Sequence, residues 1–135
     1  FKESSIFVMS AAVADYRPKN VVASKIKKST ASLSIELEAT PDILKELGSR
    51  KQKGQLLVGF ALETDDEVKN AQGKLERKNL DLIILNSLND EGAGFGHATN
   101  KITMIDRSNK MASYELKTKE IVAKDIGDKI LTLCD

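Results

Sequence analysis

The stretch LLVGFALETDDEVKNAQGKLERKNLDLIIL, residues 56–85, has the order of apolar and polar residues that is typical of a strand, a helix and a second strand. Leu56–Ala61 and Leu82–Leu85 are short, continuous apolar runs, which favours strands buried on both faces over Leu56–Ala61 and Leu80–Leu85. Thr64-Asp65-Asp66-Glu67 has the sequence of a capping box, and three apolar residues follow it at helical spacing: Val68, Ala71 and Leu75. Two such strands joined by a helix are expected to pair in parallel through a right-handed crossover.

Residues before and after this unit predict more of the same architecture. Ile6–Met9 is a third apolar run and predicts another buried strand. Thr40 as a capping hydroxyl, Pro41 at the first helical position and Asp42 in the first turn predict a helix that ends near Gly48. A last helix is expected from about Thr118, with four apolar residues at helical spacing: Val122, Ile126, Ile130 and Leu133.

Two segments predict antiparallel strands. Leu33–Glu38 alternates apolar and polar residues, which indicates a half-exposed strand. Lys101–Asp106 and Met111–Leu116 predict a hairpin that turns at Ser108-Asn109. The chain is therefore expected to be an α/β protein, a three-layer sandwich with a mainly parallel sheet plus antiparallel additions. No linker or repeat divides it, so residues 1–135 are expected to form a single domain.

Composition excludes several classes of function. With 21 basic and 20 acidic residues the net charge is +1, which gives no attraction to nucleic acid or to an anionic membrane. The apolar runs are far shorter than a membrane span. The one cysteine, Cys134, has no partner for an internal disulfide, so we expect a cytoplasmic protein. The chain opens with Phe1 rather than Met, directly before an apolar run, which we interpret as a fragment or processed piece.

Ligands of parallel sheets bind at the carboxyl ends of the strands, which here are Ser10–Asp15, Phe60–Thr64 and Asn86. Small residues in Ser10–Asp15 allow a ligand to approach the backbone closely, and the Asp15 carboxylate can hold Mg²⁺ or a ribose hydroxyl. The same pattern also fits a tight turn with a capping aspartate. The ring of Phe60 can pack on a nucleobase or belong to the core.

Two groups of lysines are candidate phosphate ligands. Lys25-Ile26-Lys27-Lys28 can place a cation over a triphosphate, although basic runs are also common on solvated surfaces. Lys74 and Lys78 are four residues apart on the predicted helix and suit a phosphate clamp. The alternative for Lys74 and Lys78 is that their stems cover the edge of a buried face.

Some common sequence motifs of nucleotide-binding and catalytic sites are missing from the sequence. It has no Walker loop and no GxGxxG fingerprint, which argues against a P-loop enzyme or an ordinary dinucleotide site. One histidine, His97, and one cysteine make a zinc site or a Cys/His nucleophile implausible.

Taken in order, short motifs along essentially the whole chain resemble the nucleotide-binding half of bacterial phosphopantothenoylcysteine synthetase. They are Ala11-Ala12-Val13-Ala14-Asp15-Tyr16-Arg17, Lys25-Ile26-Lys27-Lys28, Pro41-Asp42-Ile43-Leu44, Gly59-Phe60-Ala61-Leu62-Glu63-Thr64, and Lys74 and Lys78 followed by Asn79-Leu80-Asp81. The resemblance implies a Rossmann-like fold and a ligase of coenzyme A biosynthesis. In that family 4′-phosphopantothenate is activated by CTP as an acyl-cytidylate, and cysteine then displaces CMP.

The resemblance also implies roles for individual residues. The matching positions line a CTP site: Met9, Ser10, Ala11, Asp15, Lys25, Pro41, Asp42, Ile43, Leu44, Phe60, Lys74 and Lys78. Lys25 matches a flap residue and is the catalytic candidate. Mg²⁺ is expected to accompany CTP, without an assigned metal ligand.

The family's glycine-rich strand and its Asn-containing acceptor segment have no match here, so the isolated chain is expected to be inactive. FMN would belong only to a decarboxylase domain fused upstream. Family members are homodimers, and Leu33–Glu38 resembles part of their dimerisation region. A nucleotide-binding or dimerisation module without catalysis is the alternative function. An oxidoreductase domain is disfavoured by the missing glycine fingerprint.

Overall fold

A computed structural model of the protein describes residues 1–27, 32–87, 89 and 96–134. Along this part of the chain the elements are β1 (Ile6–Met9), β2 (Tyr16–Pro18), β3 (Leu37–Ala39), α1 (Ile43–Arg50), β4 (Leu56–Glu63), α2 (Glu67–Arg77), β5 (Leu82–Ser87), β6 (Thr99–Asn100), β7 (Ile102–Asp106), β8 (Met111–Ser113), β9 (Lys117–Thr118) and α3 (Lys119–Cys134). None of the helices in these residues is long and apolar enough to cross a membrane.

A five-stranded sheet with the order β1-β4-β5-β7-β8 forms the middle layer. β1, β4 and β5 are parallel, with Met9 beside Gly59 and Phe60 beside Ile84. β7 runs antiparallel to β5, and β8 antiparallel to β7. The predicted mainly parallel sheet with an antiparallel hairpin is confirmed.

Each face of the sheet is covered by helices. On one face, Leu57, Ile83 and Ile105 pack against Ala71 and Leu75 of α2, and α1 contributes apolar residues to the same core. On the other face, a second core is formed by strand residues and by α3, namely Val58, Leu82, Ile84, Val122, Ile126 and Ile130. Because successive side chains of a strand point to opposite faces, each strand contributes residues to both cores. The sheet therefore lies between two layers of helices, which confirms the three-layer sandwich.

A buried ion pair fastens the sheet at the end opposite to the predicted ligand site. The side chain of Lys51 is only 7% exposed, and its Nζ donates to both carboxylate oxygens of Asp81 at 2.8 and 2.9 Å. Asp81 also accepts from the backbone amide of Leu57 at 2.8 Å. Because the carboxylate joins the end of α1 to the start of β4 and β5, it fixes the layers against one another.

Two predicted strands differ from those observed. β1 is the edge strand of the described sheet, so that Ile6 and Val8 are 39% and 43% exposed instead of buried. The alternating segment Leu33–Glu38 is a strand only from Leu37, and it pairs antiparallel with β2 in a separate two-stranded sheet. Its partner strand contains Pro18, which has no amide to donate, and its alternating side chains lie in solvent instead of on a core.

Two of the three predicted helix starts are wrong in detail, whereas α3 begins at Lys119, directly after the predicted Thr118. The cap of α1 is Asp42, whose carboxylate accepts from the Lys45 amide at 3.0 Å, whereas Thr40 Oγ1 donates to the Ala14 carbonyl. The capping box before α2 is absent. Asp66 begins that helix with φ at 43° and without a side-chain cap. The Glu67 carboxylate accepts from the Ser87 hydroxyl and not from the Thr64 amide, as a capping box would require.

Candidate active site

A cavity of about 510 Å³ lies at the carboxyl ends of β1, β4 and β5, the edge at which parallel sheets bind ligands. Its volume falls within the range of small-molecule sites. Most of the residues predicted for the nucleotide site line it: Met9, Ser10, Ala11, Asp15, Pro41, Asp42, Ile43, Leu44, Phe60 and Lys78. The two predicted residues that do not line it are Lys25 and Lys74. What these side chains bind stays a prediction.

The loop after β1 forms one wall of the cavity. Residues 10–15 are exposed and mostly small, so the backbone itself faces the space. Thr40 fastens this loop twice, since its amide donates to the Asp15 carbonyl at 2.9 Å and its hydroxyl to the Ala14 carbonyl at 2.5 Å. The loop is therefore held close to the start of α1.

Asp42 and Lys78 form a charged pair on the next wall. Lys78 Nζ lies 3.0 Å from Asp42 Oδ2, and the same carboxylate caps α1. Partial burial of Asp42 acts to raise its pKa, but the hydrogen bond from the Lys45 amide and the bond and charge of Lys78 outweigh it, so the pKa lies below its ordinary value. Asp42 is thus an anion that holds a lysine at the mouth of the cavity.

Close packing of α1 keeps the backbone of Lys78 in place. A Cβ on Gly48 would lie 1.9 Å from the Lys78 carbonyl oxygen, so only glycine allows α1 to approach this closely. The Asn79 side chain donates to the Gly48 carbonyl at 2.8 Å, so a hydrogen bond joins the same two segments.

The wall on the α3 side contains residues that the predicted site did not include. Phe60 is half-buried against the α3 core, and beside it lie Asn86 at the end of β5, Asn100 of β6 and Lys119 at the start of α3. Asn86 had a signal in the sequence, because it follows an apolar run directly at a strand end. Asn100 and Lys119 had none, since β6 and β9 are strands of two residues.

Lys25 and Lys74 lie outside the lining of the cavity. Lys25 and Lys27 are exposed in irregular chain between β2 and β3, and Lys28 lies outside the described residues. Lys74 Nζ lies 2.5 Å from Glu63 Oε1, at the end of β4. This Glu63 oxygen is sealed from solvent, and Lys74 balances its charge.

A metal ion would find few protein ligands here. Across residues 1–27, 32–87, 89 and 96–134, no three His, Cys, Asp or Glu side chains are grouped as a metal site requires. Asp15 and Asp42 are the carboxylates that line the cavity. Mg²⁺ commonly binds through one or two carboxylates together with substrate phosphates, and this arrangement fits that mode.

Comparison with known proteins places the chain in a family. Residues 1–133 match the family described as DNA/pantothenate metabolism flavoprotein C-terminal domain. The chain is 43% identical over 133 residues to the coenzyme A biosynthesis bifunctional protein CoaBC of Bacillus subtilis, covering 98% of this chain and 32% of that protein. It is also 59% identical to a protein of an unknown prokaryotic organism named cysteine/cysteine sulfinic acid decarboxylase, covering 98% of this chain and 37% of that one.

Two solved structures are also similar to the chain in fold. A crystal structure of the C-terminal domain of CoaBC is similar with a TM-score of 0.75 and 39% identity, covering 98% of this chain and 58% of that domain. A Cab2 mutant in complex with phosphopantothenate-cysteine shares the fold at a TM-score of 0.57 and 20% identity, over 82% of this chain and 38% of that one. The chain spans about a third of the length of its curated relatives, and it belongs to the family of DNA/pantothenate metabolism flavoprotein C-terminal domains.

Proposed function

We propose that this chain is the nucleotide-binding part of a phosphopantothenate–cysteine ligase that uses CTP. The observation that supports the proposal most directly is the cavity at the carboxyl ends of the parallel strands, where the family's motif residues meet. Its mixture of a small-residue loop, a lysine held by an aspartate, and an aromatic ring suits a nucleoside triphosphate. The similarity to CoaBC supports a role in coenzyme A biosynthesis.

The proposed reaction has two steps. A carboxylate oxygen of 4′-phosphopantothenate attacks the α-phosphorus of CTP, the bond to the bridging oxygen breaks, and pyrophosphate leaves. The amine of cysteine then attacks the acyl carbon, CMP leaves, and the amine loses a proton. Both steps are governed by the placement of cations against phosphate charge.

The residues of this chain would act mainly by holding the nucleotide. Lys78 would bind phosphate oxygens from its place beside Asp42, and the exposed amides of residues 10–15 would approach the ribose and phosphates. Asp15 and Asp42 would share Mg²⁺ with the phosphates, and the ion would neutralise charge that develops on them. The Phe60 ring would pack on the base. Lys25 would reach the phosphates from its exposed segment.

The acceptor site would lie outside this chain. Ile6 and Val8 on the edge strand β1 are exposed apolar residues, a face that the additional length of the relatives can cover. We therefore expect the chain alone to bind nucleotide without completing the reaction. FMN would belong to a decarboxylase domain upstream in a bifunctional protein, and the Bacillus subtilis relative is itself named bifunctional. A cytoplasmic location remains our proposal for such an enzyme.

The decarboxylase name of the 59% identical relative does not change this proposal. That name describes a protein of which this chain matches 37%. The cavity in this chain holds a lysine and exposed backbone amides, groups that suit phosphates more than the decarboxylation of a small amino acid.

Titration calorimetry tests the proposed function. CTP and ATP, each with Mg²⁺, are titrated into this chain and into a polypeptide that also carries the upstream region of the relatives. We expect CTP to bind both, and the longer polypeptide to release pyrophosphate when phosphopantothenate is added. Absence of binding by either nucleotide contradicts the proposal, and tighter binding of ATP contradicts the choice of CTP.

We also propose a homodimer that uses the arm formed by β2, β3 and residues 32–36. Two cross-strand ion pairs stiffen this arm, Arg17 with Glu38 at 2.7 Å and Lys19 with Glu36 at 2.6 Å. Leu33, Ile35 and Leu37 are between 54% and 66% exposed on it. Several exposed apolar side chains along one segment are typical of a surface that a partner covers.

A further inference from the structure

Two asparagine side chains form a relay on the α3-side wall of the cavity. Asn100 Nδ2 donates to Asn86 Oδ1 at 3.0 Å, and the backbone amide of Lys101 donates to Asn100 Oδ1 at 3.1 Å. Both side chains are half-buried, and both line the cavity at the carboxyl end of β5.

The relay fixes which way each amide faces. A backbone amide can only donate, so the atom of Asn100 that it meets must be the carbonyl oxygen. The other end of Asn100 is then its amino group, which can only donate, and it must therefore meet the oxygen of Asn86. This chain of donors and acceptors is therefore consistent with one orientation of each amide.

One consequence is that the cavity contains a hydrogen-bond donor whose orientation is fixed. With its oxygen taken by Asn100, Asn86 presents its amino group, which donates to no acceptor within the described residues. The oxygens of a phosphate, a ribose or a base carbonyl are acceptors that such a group would bind.

We propose that Asn100 is a positioning residue that holds Asn86 with its amino group toward the cavity, where it donates to an oxygen of the bound nucleotide. This inference rests on the proposed function, because it takes a nucleoside triphosphate as the ligand. Asn100 acts through Asn86 and does not itself contact the nucleotide.

Replacing Asn100 by aspartate inverts the group that Asn86 presents. One Asp oxygen still accepts from the Lys101 amide, but the other cannot donate. Asn86 satisfies that oxygen only by turning its amino group toward it, which leaves its own carbonyl oxygen facing the phosphates. The variant Asn100→Ala only frees the orientation, so its effect is expected to be smaller.

CTP titration into the protein that includes the upstream region tests this relay. We expect Asn100→Asp to weaken CTP binding about ten-fold, in line with the loss of one hydrogen bond to a charged ligand. In an Asn86→Ala background the same substitution is expected to weaken binding by no more than about two-fold, because only its charge remains. Thermal unfolding of each variant shows whether the protein is folded. If Asn100→Asp does not fold, Asn100→Ala replaces it in the same comparison.

Equal loss in both backgrounds would mean that charge alone acts, and it would overturn the relay. Unchanged CTP binding in both Asn100 variants would overturn it too. Unchanged CTP binding with a raised KM for phosphopantothenate would overturn the nucleotide as the ligand of Asn86. If the unsubstituted protein binds no nucleotide, the proposed function fails and this inference fails with it, whereas loss of the Asn86–Asn100 coupling alone leaves the proposed function intact.

Discussion

Lys74 Nζ lies 2.5 Å from Glu63 Oε1, whereas Lys78, one helical turn further on, pairs with Asp42 at 3.0 Å on the cavity wall. The two lysines that the sequence places side by side are thus held by different carboxylates. Lys78 already faces the cavity, but Lys74 must leave Glu63 before it can contact a ligand there. Glu63 therefore competes with any phosphate for this cation.

Substituting Glu63 by glutamine removes that competition. We expect Glu63→Gln to tighten CTP binding by about two- to five-fold, because a partly exposed ion pair typically contributes on the order of 0.5–1 kcal/mol. Lys74→Gln is expected to weaken binding, and Glu63→Gln should have no effect when Lys74 is already Gln. Calorimetry on all four proteins measures this coupling, and equal affinities throughout would remove Lys74 from the nucleotide site.

A second prediction separates Lys25 from its neighbour Lys27, which is equally exposed in the same segment. Lys25→Ala should slow formation of the acyl-cytidylate far more than it weakens CTP binding, by roughly 3 kcal/mol or about a hundred-fold, because a mobile ammonium stabilises charge as pyrophosphate leaves. Lys27→Ala is the control and should change little. Rapid-quench measurement of pyrophosphate release decides, and an unchanged single-turnover rate for Lys25→Ala would exclude it as a catalytic residue.

The strands of the parallel sheet could be predicted because their signal is local. Leu56–Ala61 and Leu82–Leu85 are continuous apolar runs, and burial on both faces demands that pattern. The caps of α1 and α2 could not be predicted in the same way, although the start of α3 was predicted to within one residue. Thr64 and Glu67 have the spacing of a capping box, but Glu67 accepts from Ser87, 20 residues away, and no local pattern shows such a contact.

The same distinction applies to the cavity. Ser10–Asp15 follow one apolar run and Phe60 lies near the carboxyl end of another, so topology alone brings them to one edge of the sheet. Asn100 and Lys119 reach that edge through the antiparallel pairing of β6 with β9. Strands of two residues leave too short a pattern in the sequence to be recognised.

A third prediction concerns the proposed dimer. Ile35→Asp places a charge in the exposed apolar row of the arm, which would have to be desolvated in an interface. We expect the mass measured by light scattering at about 10–50 µM, a range that reveals dimers of ordinary affinity, to fall from that of a dimer to that of a monomer. Leu131→Asp on α3, where Leu131 is 65% exposed, is the matched control and should leave the mass unchanged. A monomeric unsubstituted protein would contradict the dimer itself.

The last prediction concerns the pH dependence of stability through Asp106, at the turn between β7 and β8. Its carboxylate accepts from the amides of Ser108 and Lys110 at 3.1 Å and from Lys129 Nζ at 3.0 Å. Burial acts to raise the pKa of Asp106, but these bonds and the charge of Lys129 hold it below the ordinary value.

A lowered pKa means that the folded state binds the proton less readily than the unfolded chain. The contribution of Asp106 to stability is therefore complete above the unfolded value of about 3.9 and is lost as the pH falls from there through the folded pKa.

Asp106→Asn should lower the free energy of unfolding by about 2 kcal/mol at pH 7, because it weakens a charge-assisted network, and the deficit should shrink toward pH 3. Asp128→Asn, an exposed site on the same helix as Lys129, should stay within about 0.5 kcal/mol of the unsubstituted protein throughout. Urea unfolding at pH 7 and at steps down to about pH 3, which passes through the unfolded pKa of an aspartate, measures the three proteins side by side. A deficit for Asp106→Asn that is as large at the acidic end as at neutral pH would show that the substitution acts through packing and not through the carboxylate charge.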